Sequence, residues 1–179
     1  METEKVFTEK LFRTGDGRTV TYSEMIKEIA EYIKHDTQRD YELTVGTDSQ
    51  TGKRTKMSEV VVARRIGAGG IFFYRTEWMK AIKDLKVKIY EETSRSLENA
   101  DGLLDYVKLT LMEDNIDIDD VSIGFIIHCD VGCVGSTKSL VKEIVGWVES
   151  CGYECEIKPD SYASSCVANK YSKFAKTSK

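Results

Sequence analysis

Val121-Ser-Ile-Gly-Phe-Ile-Ile-His-Cys-Asp130 is the most apolar run in the chain, and it ends on a carboxylate. Its short length and β-branched content predict a strand covered on both faces, central in a sheet and parallel to a neighbour. Upstream, Tyr41-Glu-Leu-Thr-Val-Gly-Thr-Asp48 alternates along its length and also stops at an aspartate, followed by the polar cluster Ser49-Gln-Thr-Gly52. Two parallel strands that both end on acids gather charge at one rim. Open α/β sheets hold ligands there, beyond the carboxyl ends of the strands.

The remaining elements follow outward from these two. Glu59 to Ile66 is rich in valine and Ile71 to Thr76 in aromatics, with Gly67-Ala-Gly-Gly70 between them as a hairpin turn. Phe72, Phe73, Tyr74 and Trp78 are expected to pack on an edge strand. Lys83 to Met112 repeats at helical period, and Gly102 is the candidate break in it. Thr137 to Ser150 reads as a helix, Tyr153 to Lys158 as a strand, and Tyr162 to Ala175 as a closing helix after the only proline, Pro159. Thr21 to Lys34 is an amphipathic helix, with Thr21 and Glu24 at capping-box spacing. The expectation is one α/β domain over 1–179 with an N-terminal helical extension over 1–38. Its mixed five-stranded sheet, three antiparallel strands then two parallel additions, lies between helices.

Composition narrows the function classes. A chain of 179 residues, 41% hydrophobic, has the size of one domain with a real core. Its apolar runs fall far short of the roughly 20 residues that span a membrane, and Met1 to Lys5 has no signal-peptide character, so a cytoplasmic location is expected. Cys129 with Cys133 and Cys151 with Cys155 form C-x3-C pairs, but zinc ribbons use tighter spacing, and buried small apolar residues are the expectation. A net charge of −4 and a pI near 5.4 exclude wholesale wrapping of nucleic acid. Local basic patches remain, at Lys53-Arg-Thr-Lys56 and along Lys170, Lys173, Lys176 and Lys179.

Alone, Asp48 is a turn residue, Asp160 an ordinary helix cap and Glu92 a solvated helix residue. Together they are a site. Asp48 and Asp130 end parallel strands, and Asp160 follows another strand. Glu92, three residues after Ile89 and four before Ser96, interrupts the apolar face of the long helix; Glu91, about 100° round, is the second choice. Such carboxylates repel one another unless cations compensate, and an oxygen-only ligand set favours magnesium or manganese over zinc. His128 shares the Asp130 face by alternation and is expected to be a core histidine.

The order strand Asp, helix Glu, strand Asp, helix Asp resembles the ribonuclease H superfamily. The phrases Val45-Gly-Thr-Asp-Ser-Gln50, Glu91-Glu-Thr93, His128-Cys-Asp-Val-Gly132, Gly135-Ser-Thr-Lys138 and Lys158-Pro-Asp-Ser-Tyr-Ala163 resemble the YkuK-type ribonuclease H-like family of bacteria and phages. The resemblance implies a ribonuclease H-like fold with Asp48, Glu92, Asp130 and Asp160 holding two Mg²⁺ or Mn²⁺ ions roughly 4 Å apart. It further implies hydrolysis of phosphodiester bonds in RNA or RNA/DNA hybrid, with Ser49, Gln50, Lys138 and Ser161 as phosphate or sugar contacts. Two other readings stay open. Asp130 to Ser139 could cradle nucleotide phosphates, although Thr137 spoils a Walker motif, or the fold could serve as a non-catalytic binding module. Substrate, cleavage polarity and oligomeric state are not written in the sequence.

Overall fold

The structure is a computed structural model and describes residues 10–163. Thr21 opens helix α1 (Tyr22–Lys34) by the capping box its spacing predicts: the Glu24 N–H donates to Thr21 Oγ1 at 3.2 Å, and the Thr21 N–H donates to Glu24 Oε2 at 2.7 Å. The helix buries Met25, Ile26, Ile29 and Ile33 along one face. Its lead-in is not helical. Leu11–Thr14 (β1) and Thr19–Thr21 (β2) pair as an antiparallel hairpin, because Phe12 and Val20 alternate with exposed neighbours and close on a turn containing Gly17 at φ +91°.

The hairpin changes the sheet. Strands β3 (Tyr41–Thr51), β4 (Arg54–Arg65) and β5 (Gly70–Lys80) form an antiparallel meander, and β6 (Ile123–Gly132) and β7 (Glu154–Lys158) add in parallel beside β3. Arg13 and Thr14 pair with Tyr74 and Phe73, so among the described residues the sheet has seven strands, in the order β2-β1-β5-β4-β3-β6-β7, and not the expected five. The added strands leave the mixed α/β architecture intact. β3 is the switch point: its connections run to one side through β4 and β5, while β6 and β7 lie on the other.

Helices α2 (Leu85–Ala100) and α3 (Leu103–Glu113) occupy the long helical stretch, divided at Gly102, whose φ of +71° suits glycine. A Cβ there would also meet the Tyr106 ring at 2.9 Å. Helix α4 (Val141–Ser150) follows a short 3-10 turn at Lys138–Leu140. Two apolar clusters result. One joins Phe12, Met25, Ile29, Leu43, Val45 and Leu103; the other joins Ile89, Ile127, Val131, Ile144 and Val148. On the opposite face of the sheet, Val60 and Val62 pack with Phe72, Tyr74, Tyr162 and Ala163. Phe73 is buried while Trp78 is exposed, so the four aromatics of the third strand do not share one role. The closing helix expected over Tyr162 to Ala175 falls, from residue 164 on, outside the described residues, as does the lysine tail. Among the described residues no helix is long and apolar enough to cross a membrane.

Candidate acidic site

Asp48 does not end its strand. β3 continues to Thr51, with Asp48 opposite Ser58 on β4, and what stops at this level is the pairing with β6, whose last pair is Gly46 with His128. Asp48 and Asp130 each lie two residues beyond that last pair, and the charge of Asp130 is felt at Asp48. Thr47 and Ser49 meet α2, through Ser96 Oγ to Thr47 Oγ1 at 2.9 Å and Ser49 Oγ to Glu92 Oε1 at 2.6 Å. Asp48 therefore points to the other face. Cys129 and Val131 belong to the cluster under α2 and α4, so Asp130 also points to that other face.

Glu92 approaches from the helix side at the level where the two strands cease to pair. It is 3% exposed, and its Oε2 has no hydrogen-bond partner among the described residues. Burial pushes its carboxyl up to about 8; the charges of Asp48 and Asp130 add to the shift, and the Ser49 hydroxyl and Lys88 oppose it. Asp48 is raised to about 6, first by burial and then by Asp130, against Lys88 and Lys158. Lys88 Nζ lies 3.8 Å from Glu92, one helical turn earlier. Lys158 Nζ lies 2.7 Å from Asp130 Oδ1. Asp48 and Asp130 thus lie within charge range of Glu92, and one ammonium group stands against each of Glu92 and Asp130.

The other expected contacts are placed differently. Asp160 is exposed in the turn after β7, with its N–H donating to Ile157 O at 2.9 Å and its charge felt at Glu156. Glu91 turns away to Arg95 at 2.8 Å, which leaves Glu92 as the helix acid facing β3. Ser49 is buried against Glu92, and Ser161 is buried as well, so neither hydroxyl faces solvent; Gln50 and Lys138 are exposed. In the basic loop, Lys56 lies within β4 and is 3% exposed, leaving Lys53 and Arg54 at the surface. His128 is a core side chain. Its Nδ1 accepts from the Ala163 N–H at 3.1 Å, its Nε2 lies 3.0 Å from Glu156, and burial lowers it to about 4. Cys129 and Cys155 face each other across β6 and β7, Sγ to Sγ 3.6 Å, while Cys133 and Cys151 are exposed.

Two features of the site went unread in the sequence. Lys88 stands four residues before Glu92, a spacing that carries its own signal, whereas Lys158 was visible only as the end of a strand. Beside the acids, Arg95 ties α2 to the sheet through Glu59 at 2.9 Å and Glu77 at 2.7 Å, and Asn99 donates to Glu59 at 2.8 Å. A glutamate among the valines of β4 was the available sign.

The donor set can be tested against a divalent ion. Oxygen-only ligands and a buried carboxylate oxygen without a partner suit Mg²⁺ or Mn²⁺. Among the described residues, however, no three acidic, histidine or cysteine side chains already stand at metal-binding distances. Asp48, Glu92 and Asp130 thus offer oxygen donors of the right chemistry without standing as a formed ligand set, and Lys88 and Lys158 lie against Glu92 and Asp130.

A sheet of this order with acids at the parallel switch point defines the class, and the chain belongs to the ribonuclease H-like family, whose model matches residues 24–173. It is similar to the uncharacterised protein YkuK of Bacillus subtilis (strain 168), 30% identical over 167 residues, which are 91% of this chain and 97% of that protein. No solved structure matches it.

Proposed function

We propose that this protein is a metal-dependent nuclease that hydrolyses phosphodiester bonds of RNA or RNA/DNA hybrid. The observation that carries the reading is the buried Oε2 of Glu92, without a hydrogen-bond partner among the described residues and within reach of the charges of Asp48 and Asp130, where β3 and β6 part. A buried carboxylate that lacks a partner costs free energy unless it is protonated or finds a cation. Asp48, Glu92 and Asp130 would hold Mg²⁺ or Mn²⁺, with Asp160 as the fourth ligand of the superfamily pattern. Bound divalent ions supply water activation and charge neutralisation at the scissile phosphate.

The chain's own residues prepare that chemistry. Ser49 fixes Glu92 through its 2.6 Å hydrogen bond, and Ser96 fixes α2 against Thr47. Gln50 and Lys138 are exposed and serve as sugar or phosphate contacts. The nucleotide-cradle reading loses ground, since the Gly132 N–H already donates to Thr137 Oγ1 at 3.1 Å. A binding module that keeps the fold without chemistry is the second reading, and the Lys158–Asp130 ion pair favours it by showing that lysine alone can neutralise that acid.

The test is cleavage of labelled single-stranded RNA, duplex DNA and RNA/DNA hybrid with Mg²⁺ or Mn²⁺, by native protein and by Asp48→Asn. Metal-dependent cutting of RNA or hybrid, reduced at least about a hundredfold in the variant, supports the nuclease. Native protein that binds the panel without cutting it moves the assignment to the module.

A further inference from the structure

Lys158 reaches Asp130 across a gap that the neighbouring strand leaves open for it. Gly132 on β6 is its register partner, and a Cβ built on Gly132 would stand 3.1 Å from Lys158 Cβ and 3.9 Å from Cδ. Any side chain there would press on the lysine stem. The β6–β7 register is also irregular between His128 and Gly132, which sets Lys158 diagonally past Asp130, and not beside it in the ladder. The ammonium ends 2.7 Å from Asp130 Oδ1, although the side chain is still 45% exposed.

Lys88 and Lys158 bring two ammonium groups to three carboxylates, so they offset most of the negative charge gathered there. Divalent cations bound to the same oxygens would make the lysines surplus, and like charges at contact distance repel strongly in a partly buried site. We propose that Lys158 is a built-in counter-cation of the metal-free site, and that a divalent ion and the Lys158–Asp130 contact are mutually exclusive. The inference rests on the metal reading given above.

The experiment is a Mn²⁺ titration, by calorimetry and by the manganese spin resonance signal, of the native chain, Lys158→Met and Lys142→Met, the last an exposed lysine outside the site. Thermal melts with and without Mn²⁺ accompany it. Lys158→Met should bind Mn²⁺ at least about tenfold more tightly at low salt and melt lower than native only when metal is withheld. Gly132→Ala, which leaves the lysine in place but crowds its stem, should shift affinity in the same direction by less. Equal or weaker binding by Lys158→Met than by a native chain that binds Mn²⁺ overturns the proposal, as does an equal gain in Lys142→Met. Mn²⁺ binding to none of the proteins overturns the metal reading itself.

Discussion

At the scale of single residues, Glu92 makes the metal-free protein sensitive to alkali. Burial holds its carboxyl near about 8, against 4.5 in an unfolded chain, so the folded state keeps a proton that the unfolded state releases. Stability from this difference is complete below the unfolded value and is lost as pH rises through about 8. Asp48, raised from 3.8 to about 6, drives the same trend at lower pH. His128 acts oppositely, losing stability as pH falls from 6.5 through about 4, and is neutral in both states above that window. Glu92→Gln keeps the acceptor for Ser49 but cannot ionise. In chelator at about pH 9 it should be more stable than native by at least about 1 kcal/mol, or ~2–4 °C in melting midpoint. Thermal melts from about pH 7 upward check this, and parallel curves for the two proteins would show that Glu92 is solvated. The acids themselves were legible because an apolar strand pattern that gives way at an aspartate is a local signal, although β3 and β6 run on to Thr51 and Gly132. The lysines that balance them were not, since Lys158 acquires its meaning only from the gap at Gly132 on another strand.

At the scale of elements, α2 is held to the sheet by charge as much as by apolar packing. Arg95 reaches Glu59, Glu77 and Glu91, and its pair with Glu59 is largely out of water, while Glu77 and Glu91 stay partly exposed. Removing one partner of a buried pair leaves the other uncompensated. Arg95→Met should therefore cost about 3 kcal/mol in urea denaturation, and adding Glu59→Gln should recover part of that loss. A loss under ~1 kcal/mol would mean that Arg75 and Asn99 suffice for Glu59. The periodicity of α2 and the break at Gly102 were readable in advance, while the β1–β2 hairpin was not. A strand with two buried positions, Phe12 and Thr14, is a faint pattern beside the six buried positions of α1 that follows it. The polar ends of β3 and β4 were hidden for a related reason: their pairing from Asp48–Ser58 to Thr51–Thr55 is made by the backbone, which leaves no apolar trace.

For the whole molecule, the division of the core into two clusters separates scaffold from site. The cluster built on α1 and α3 includes Phe12 and the edge hairpin, whereas the cluster under α2 and α4 lies against Cys129 and Val131, which flank Asp130. Phe12 is 0% exposed and packs at 6.3 Å, ring to ring, on Tyr22 at the start of α1. Truncating it leaves a cavity between hairpin and helix toward the far edge of the sheet, with two strands, β5 and β4, between its strand β1 and the site strand β3. Phe12→Ala should thus lower stability by about 3–4 kcal/mol in urea denaturation, while Mn²⁺ affinity of the still-folded protein stays within about twofold of native. Distant sites with no shared partners give independent effects, so the two readouts should separate. Loss of metal affinity in step with stability would mean that the hairpin edge and the acidic site are one cooperative unit, and that the seven-stranded sheet transmits strain from β1 to β6.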